Sequence, residues 1–567
     1  MTMKAHLKSR FAALIAAFAL ALPLAGHAQS IPYDDEPAAA SSDDGEPDGS
    51  ARLQKPQRVK ITPYIEAGQV ATAELSPGSR TTSYSILAAG IDTSIRGRNN
   101  EGSLSLRYER RIGWGNNSSD GDAISGVARV SAAVIPNALT IEAGGLAARS
   151  KVENNGAAVL GPLDLGSSVT QIYSVYAGPT VSTHMGDVAV GGGYRIGYTR
   201  VESPDVVAIA PGQSPIDVFD DSIVHSANIH AGTRAGEALP VGLGFGAGYN
   251  REDISNLDQR VEDFHARGDV TLPLTSEIAL VGGLGWEKVK VSSRDALLDV
   301  NGLPLIGSDG RLVTDKSAPR VIAYDTSGLI WDVGIVWRPS RRTAFEAHVG
   351  RRYGSTTYYG SFGYAPNARS SLNISVYDNI SGFGGRLNTA LAGLPTQFDA
   401  ARNPLTGDIG GCVVAQAQGS CLSAALGSVR SSVFRSRGVM ASYGVKLGGR
   451  LQAGLGAGYD RRKFIGAPGT VLALADGVID ENYWAAAYLN GTIDRNSKFS
   501  TNFYANWYQS GDALSGDASS VGATAAYYRS LTGRLTATAA VGIDGVNREL
   551  LQDIWTASAL VGLRYSF

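Results

Sequence analysis

The 567-residue chain lacks most of the features that place a sequence quickly. Two cysteines are too few to build a disulfide scaffold. A formal net charge of −2 leaves no basic footprint, so no nucleic-acid partner is expected. Beyond the amino terminus no stretch approaches the roughly 20 continuous apolar residues of a membrane helix, although hydrophobic residues make up 43% of the chain. There is no G-x-S-x-G elbow, P-loop, H-E-x-x-H or repeated C-x-x-C. The run "GLGFGAGYN" has glycines spaced like a dinucleotide loop, but the helix that loop requires does not follow. The expectation is therefore no enzyme, no catalytic residue, no metal site and no cofactor.

What is present begins with a compartment. Lys4, Lys8 and Arg10 precede the apolar run "FAALIAAFALALPLAG", and Gly26-His27-Ala28 supplies the small residues a signal peptidase reads. Residues 1–28 read as a signal peptide. Residues 29–58, including "IPYDDEPAAASSDDGEPDGS", are acidic and poor in large apolar side chains, and read as a disordered periplasmic lead.

From residue 59 to the end one pattern recurs: alternation with a period of two, then a turn. In "SLSLRYERRIGW", Leu104, Leu106 and Tyr108 share one face, and Ser103, Ser105, Arg107 and Glu109 the other. "VGLGFGAGYN" and "LQAGLGAGYD" repeat the design, with glycines on the inner face that leave lumen volume unfilled. About 22 such segments can be marked, the first near residue 59, the twelfth near 328 and the last near 555. Their connections alternate between short ("IPNAL", "THMGD", "DRNSK") and long polar (near 203–221, 293–326 and 381–433). The fold class is all-β: a transmembrane antiparallel up-and-down barrel spanning 59–567 in the outer membrane of a Gram-negative bacterium, with outer-membrane lipids as its solvent. Trp114, Trp286, Trp331, Trp484, Trp507 and Trp555 fall toward the long-loop ends and Trp337 toward the short-turn end, as interface belts require. Pro179 removes a ladder hydrogen bond, so its strand is expected to bend or end early.

Parity assigns the lumen face. Arg107, Glu109, Arg129, Arg195 and Arg564 read as inward, as do His230 with Arg234, His265 with Arg267 and Asp269, and Glu346 with His348 and Arg352. A histidine beside an acid can relay protons, but no serine is tied to these sets, and solvated lumen groups are the favoured reading. Guanidinium forks suit carboxylates and phosphates, which would make the lumen selective for acidic sugars or other anions. A structural charge ladder with partners such as Glu109 and Asp269 is the preferred alternative. Cys412 and Cys421 lie in the longest loop and are expected to form one disulfide in an oxidising compartment. That loop can fold inward as a constriction or stand outward as a binding surface.

Three resemblances complete the reading. The ending "GLRYSF" resembles the carboxy-terminal signal read by the barrel-assembly machinery, with Gly562, Tyr565 and Phe567 in the matching places and Leu560 where a polar residue is commoner. The run "GRRYGSTTYYGSFGYAPNARSSLNISVYDN", with "ITPYIEAGQV" at the first strand, resembles the outer-membrane β-barrel porin family associated with the PEP-CTERM/exosortase system. Relatives of that type are sometimes labelled preprotein translocase subunit YajC. The porin resemblance implies a barrel linked to exopolysaccharide production or surface-protein sorting, with polysaccharide or anionic solutes as candidate cargo. The YajC label implies a small inner-membrane protein with one membrane helix, which this chain does not match.

The expected function is a porin-like pore or export conduit, ahead of a structural or surface-binding barrel, with an outer-membrane hydrolase last. About 22 strands make a lumen that known transporters fill with a plug. A lead of about 30 residues cannot be that plug, which counts against a TonB-dependent receptor, so the long loops must narrow the lumen or it stays open.

Overall fold

A computed structural model describes residues 58–567 except 79, 116–119, 153–157, 161–168, 203–216, 238, 415–418, 513–515 and 550–551. The expected signal peptide, and the lead up to residue 57, lie outside the described residues. Alternating side chains make each barrel segment a strand with one apolar face, and only closure satisfies the backbone of a sheet in lipid.

Twenty-two antiparallel strands close into a barrel, the first (Arg58–Ser76) pairing with the last (Ile554–Ser566) in a register that sets Tyr64 against Ser566 and Gly68 against Gly562. A short extra strand, Ala158–Leu160, extends the edge of Leu139–Val152. The strand boundaries follow the sequence pattern closely. The largest difference is the twelfth barrel strand, Val321–Ser340, whose ladder continues past an irregularity at Val291/Ser292 to reach Val321.

Most short turns and the described chain ends share one rim, the periplasmic rim of such a barrel, the two-residue turn at Tyr353–Gly354 being an exception on the outer rim. Outward positions carry the apolar band, with Phe245, Leu284, Leu329, Val541 and Val561 all exposed on the outer wall. No helix among the described residues is long and apolar enough to cross a membrane. The chain is an outer-membrane β-barrel.

Three local expectations need correction. The strand around Pro179 does not end early: Val169–Met185 runs through it, and the ladder to Val188–Glu202 lapses only between Ala177 and Thr180. Gly178 meets the Tyr194 carbonyl there so closely that a side chain would not fit. Trp484 lies at the long-loop end but faces the lumen, 5% exposed and seated over Gly458, so it is no part of the lipid-facing belt. Nor do the inner glycines leave empty space. Gly191 is covered by the His230 ring, Gly248 by His265, Gly334 by His348 and Gly522 by Tyr504, so one strand's missing side chain accommodates its neighbour's large one.

Candidate functional site: a lumen closed by one loop

Residues 382–433 connect strands Ser370–Ser381 and Phe434–Leu447 and turn inward. They form a helix (Phe383–Ala392), a three-stranded sheet (Asp399–Arg402, Ile409–Val414, Gly419–Cys421) and a short helical turn (Ser423–Leu426), all against the inner wall.

The entry is "SGFGG", residues 381–385. Phe383, Leu387 and Leu391 recur at helical spacing and are at most 1% exposed, packed with Ile172 and Ile254 of the barrel wall and with Phe219 of the connection before Asp221–Thr233. The first turn's orphan N–H groups need an acceptor, and it comes from a strand six places away around the wall. Gly382 N donates to Glu252 Oε2 at 2.7 Å and Gly385 N to Glu252 Oε1 at 2.9 Å, while Ser222 Oγ donates to the same carboxylate at 3.0 Å. A Cβ on Gly385 would stand 2.5 Å from Glu252 Oε2, and one on Gly384 would collide with Ser222, so glycine is required for this approach. Further along the helix, Asn388 donates to Ser174 and Thr199. Arg386 reaches Ser436 at 2.9 Å, Tyr377 at 2.7 Å and Asp460 at 3.3 Å, where Asp460 also holds Arg462 at 2.7 Å.

From the helix the chain descends to the periplasmic rim. Gln397 donates to the carbonyls of Ile95 and Gly102, Thr396 to Glu101, and Ser103 receives Phe398 N at 3.0 Å. Ile95 pairs with Val59, near the start of the first strand. The segment then turns back through "RNPLTGD", where Gly407 has φ +68 and so occupies the region glycine favours. Asn403 accepts from Leu405 N and Gly407 N within this turn. Leu405, 1% exposed, enters a socket of inward Val70, Ile86, Ala88, Ala526, Ala540 and Leu560. Asp408 is held by Arg149 at 2.6 Å, and Arg149 also donates to Thr406 O. On the way out Arg430 bridges Asp217 and Asp480 at 2.8 and 3.0 Å. One loop therefore spans the height of the lumen.

The inward residues read from sequence lie around this plug. Arg107 is nearly buried and shared by Glu66 at 3.0 Å and Glu109 at 2.7 Å. Arg129 pairs with Glu142, Arg564 with Glu66 and Asp92, and Arg195 lies over the Tyr176 ring. His265, Arg267, Glu346, His348 and Arg352 come together on one wall: Arg267 reaches Asp332 at 3.0 Å, and Arg352 reaches Asp263, Glu287 and His265. His348 is stacked on Tyr359 and has Nδ1 2.8 Å from Asp332 and Nε2 2.9 Å from Glu346. Both ring nitrogens are thus engaged by carboxylates, which leaves neither to activate a nucleophile. Asp269 stands beside Gly244, and His230 lies over Gly191. Arg234 falls just past the end of its strand, Asp221–Thr233, where alternation no longer applies, and sits exposed in the periplasmic connection beside Glu237. Tyr565 and Phe567 pack edge to face at the periplasmic rim.

Sequence reasoning missed Glu252, Arg386, Leu405 and Asp408. Signals were available: Leu560, Val70 and Ile86 are apolar at inward parity, which an aqueous lumen does not explain, and "SGFGG" clusters three glycines at the loop's entry. Ser105 gives a direct check of the face assignment, since Arg402 Nη2 of the plug covers it at 2.9 Å. A cysteine at 104 is expected to react with lipid-phase reagent only, and one at 105 with aqueous reagent once the plug is removed. Equal aqueous reactivity at both positions would show the face assignment to be wrong.

No family model and no curated protein matches the chain. Solved structures similar to it include the FrpB iron transporter from Neisseria meningitidis (F5-1 variant), at 11% identity, 89% of this chain, 82% of that one and TM-score 0.40. The ferric yersiniabactin uptake receptor FyuA from Yersinia pestis is similar at 12% identity, 90% and 80% coverage and TM-score 0.40. The copper transporter OprC is similar at 12% identity, 90% and 81% coverage and TM-score 0.38. Likeness at this level says nothing of what this chain carries.

Proposed function

We propose that the chain is a plugged outer-membrane conduit, closed by residues 382–433 and opened when that segment leaves the lumen. The observation that carries this reading is the plug's continuous engagement of the wall, from Glu252 at the outer end to the Ile95 carbonyl at the periplasmic rim. A role in export linked to exopolysaccharide or surface proteins rests on the strand resemblance alone and is the finer part of the proposal. The barrel-assembly machinery, reading Gly562, Tyr565 and Phe567, is the proposed partner in insertion. A surface-binding barrel is the second reading, favoured by Val300 and Leu474, which stand almost fully exposed on outer loops.

The test is planar-bilayer conductance of the folded mature protein before and after deletion of residues 385–428. Near silence followed by a conductance at least about tenfold larger, as an emptied lumen of this strand number allows, supports the gated conduit. Silence in both, with folding confirmed, overturns it.

The proposal includes one disulfide within the plug. Cys412 stands opposite Cys421 in the register of the small sheet, and facing antiparallel residues have Cα separations within disulfide reach. Their side chains lie outside the described ones. Thiol titration of denatured, unreduced protein is expected to find no free thiol, and two would remove the bridge.

A further inference from the structure

The plug does not fill the lumen evenly. Against the seam where the first and last strands meet, a cavity of about 300 Å³ remains between plug and wall. The seam explains its position, because Gly68 and Gly562 face each other across the closing register and both line the cavity. Its lower lip includes Asn496 in a periplasmic turn and Lys498 just inside it, so the cavity faces the periplasm.

Its charge is one-sided. Arg107, Arg402, Lys498 and Arg564 line it, against Glu66 as the one lining carboxylate. Arg107 and Arg564 share Glu66, and have Glu109 and Asp92 as further partners. Arg402 and Lys498 are different. The donors of Arg402 go to Ser105 Oγ, Ser125 Oγ, the Ser125 carbonyl and the Gly407 carbonyl, none of them ionised. Burial pushes the Arg402 guanidinium below the usual arginine value, with Arg107 acting in the same direction, and Tyr64, Asp92 and Asp408, none of them bonded to it, offset this only in part. Lys498 has no carboxylate partner among the described residues and projects from an exposed position at the mouth. Two cations without a carboxylate in direct contact among the described residues, one at the entrance and one at the plug, bracket a water-accessible recess whose wall also carries Tyr528 and Thr538.

We infer that this recess is a binding site on the conduit's path for an anionic solute bearing a carboxylate or phosphate group, entered from the periplasm between Lys498 and Arg402. The inference rests on the conduit reading. An anion there supplies the direct partner that Arg402 lacks, and guanidinium with ammonium is the donor set that oxyanions select. Binding at Arg402, in the same turn that seats Leu405, places the ligand against the part of the plug that must move for the lumen to open.

The experiment uses inorganic phosphate as probe on the Leu405→Ala protein, whose plug is loosened. Under a KCl gradient its current is expected to be carried mainly by chloride, and phosphate added on the periplasmic side is expected to block it. Lys498→Gln and Arg402→Gln should each weaken the block about tenfold, the loss of one charge-assisted hydrogen bond. An unselective or cation-selective current, or a block unchanged in both variants, overturns the anion site and leaves the conduit standing. If neither the loosened nor the plug-deleted protein conducts, the conduit reading fails. The site is then judged by calorimetric titration of phosphate onto the intact protein, where absent heat, or affinity unchanged in Lys498→Gln, overturns it. Lys498 lies outside the plug, so its variant reports even if the Arg402 variant misfolds.

Discussion

Alanine at position 252 is expected to free the outer end of the plug while the barrel stays folded. Glu252 is 4% exposed and takes two N–H groups of the plug's entry plus the Ser222 hydroxyl. Losing a helix cap costs about 0.5–2 kcal/mol, and each buried donor left without an acceptor adds about 1–3 kcal/mol. Removing a buried charge returns some desolvation energy, but the donors stay buried as long as the helix stays in place, so the balance favours its departure. The Gly382–Leu394 amides should then exchange with solvent at least about tenfold faster, the change that roughly 1.4 kcal/mol produces, and bursts of conductance should appear. Glutamine at 252 should do nearly as much, because its amide NH2 would face donors that need acceptors. Unchanged protection in both variants would falsify the latch.

The second large effect is expected at Leu405. Truncation to alanine empties a socket built from the inner wall, and such changes cost about 2–5 kcal/mol. Aspartate there should cost more, since its carboxylate would be set against the apolar side chains of Val70, Ile86 and Leu560. The measurement is aqueous labelling of a cysteine at 105, which the intact plug covers. Leu405→Ala should raise the labelling rate and Leu405→Asp should bring it near that of the plug-deleted protein, with thermal unfolding of the barrel little changed. A rate unaffected by either substitution would mean that the socket does not hold the plug. Leu560→Asn should act in the same direction from the wall side.

These two anchors mark where the sequence was readable and where it was not. Strand positions were legible because alternation is a local property: Leu104 and Ser105 declare opposite faces without reference to the rest of the chain. Inward direction was legible for Arg267 and His348, but their convergence was not, because it depends on Gly283 and Gly334 leaving space on intervening strands. The plug was least legible. Its segment has no sustained period, and its holding contacts pair residues far apart, as Glu252 with Gly385 or Arg149 with Asp408. Leu560 was noticed as a departure from a terminal pattern, whereas it is the wall of the Leu405 socket. Arg234 shows the limit of parity, since alternation carried one residue beyond the strand assigns a face that the turn does not keep.

The plug leaves the wall at Ser381 and returns at Phe434, and these two residues are direct register partners. Both feet therefore stand side by side on one rim, a strand spacing apart, whether the segment is inside or outside. Among the described residues, no other strand is threaded or encircled by it. The cylinder can close and enter the membrane while those fifty or so residues are still outside, and the stopper can be the last part to settle. Departure is the same movement in reverse, like a cork on a string.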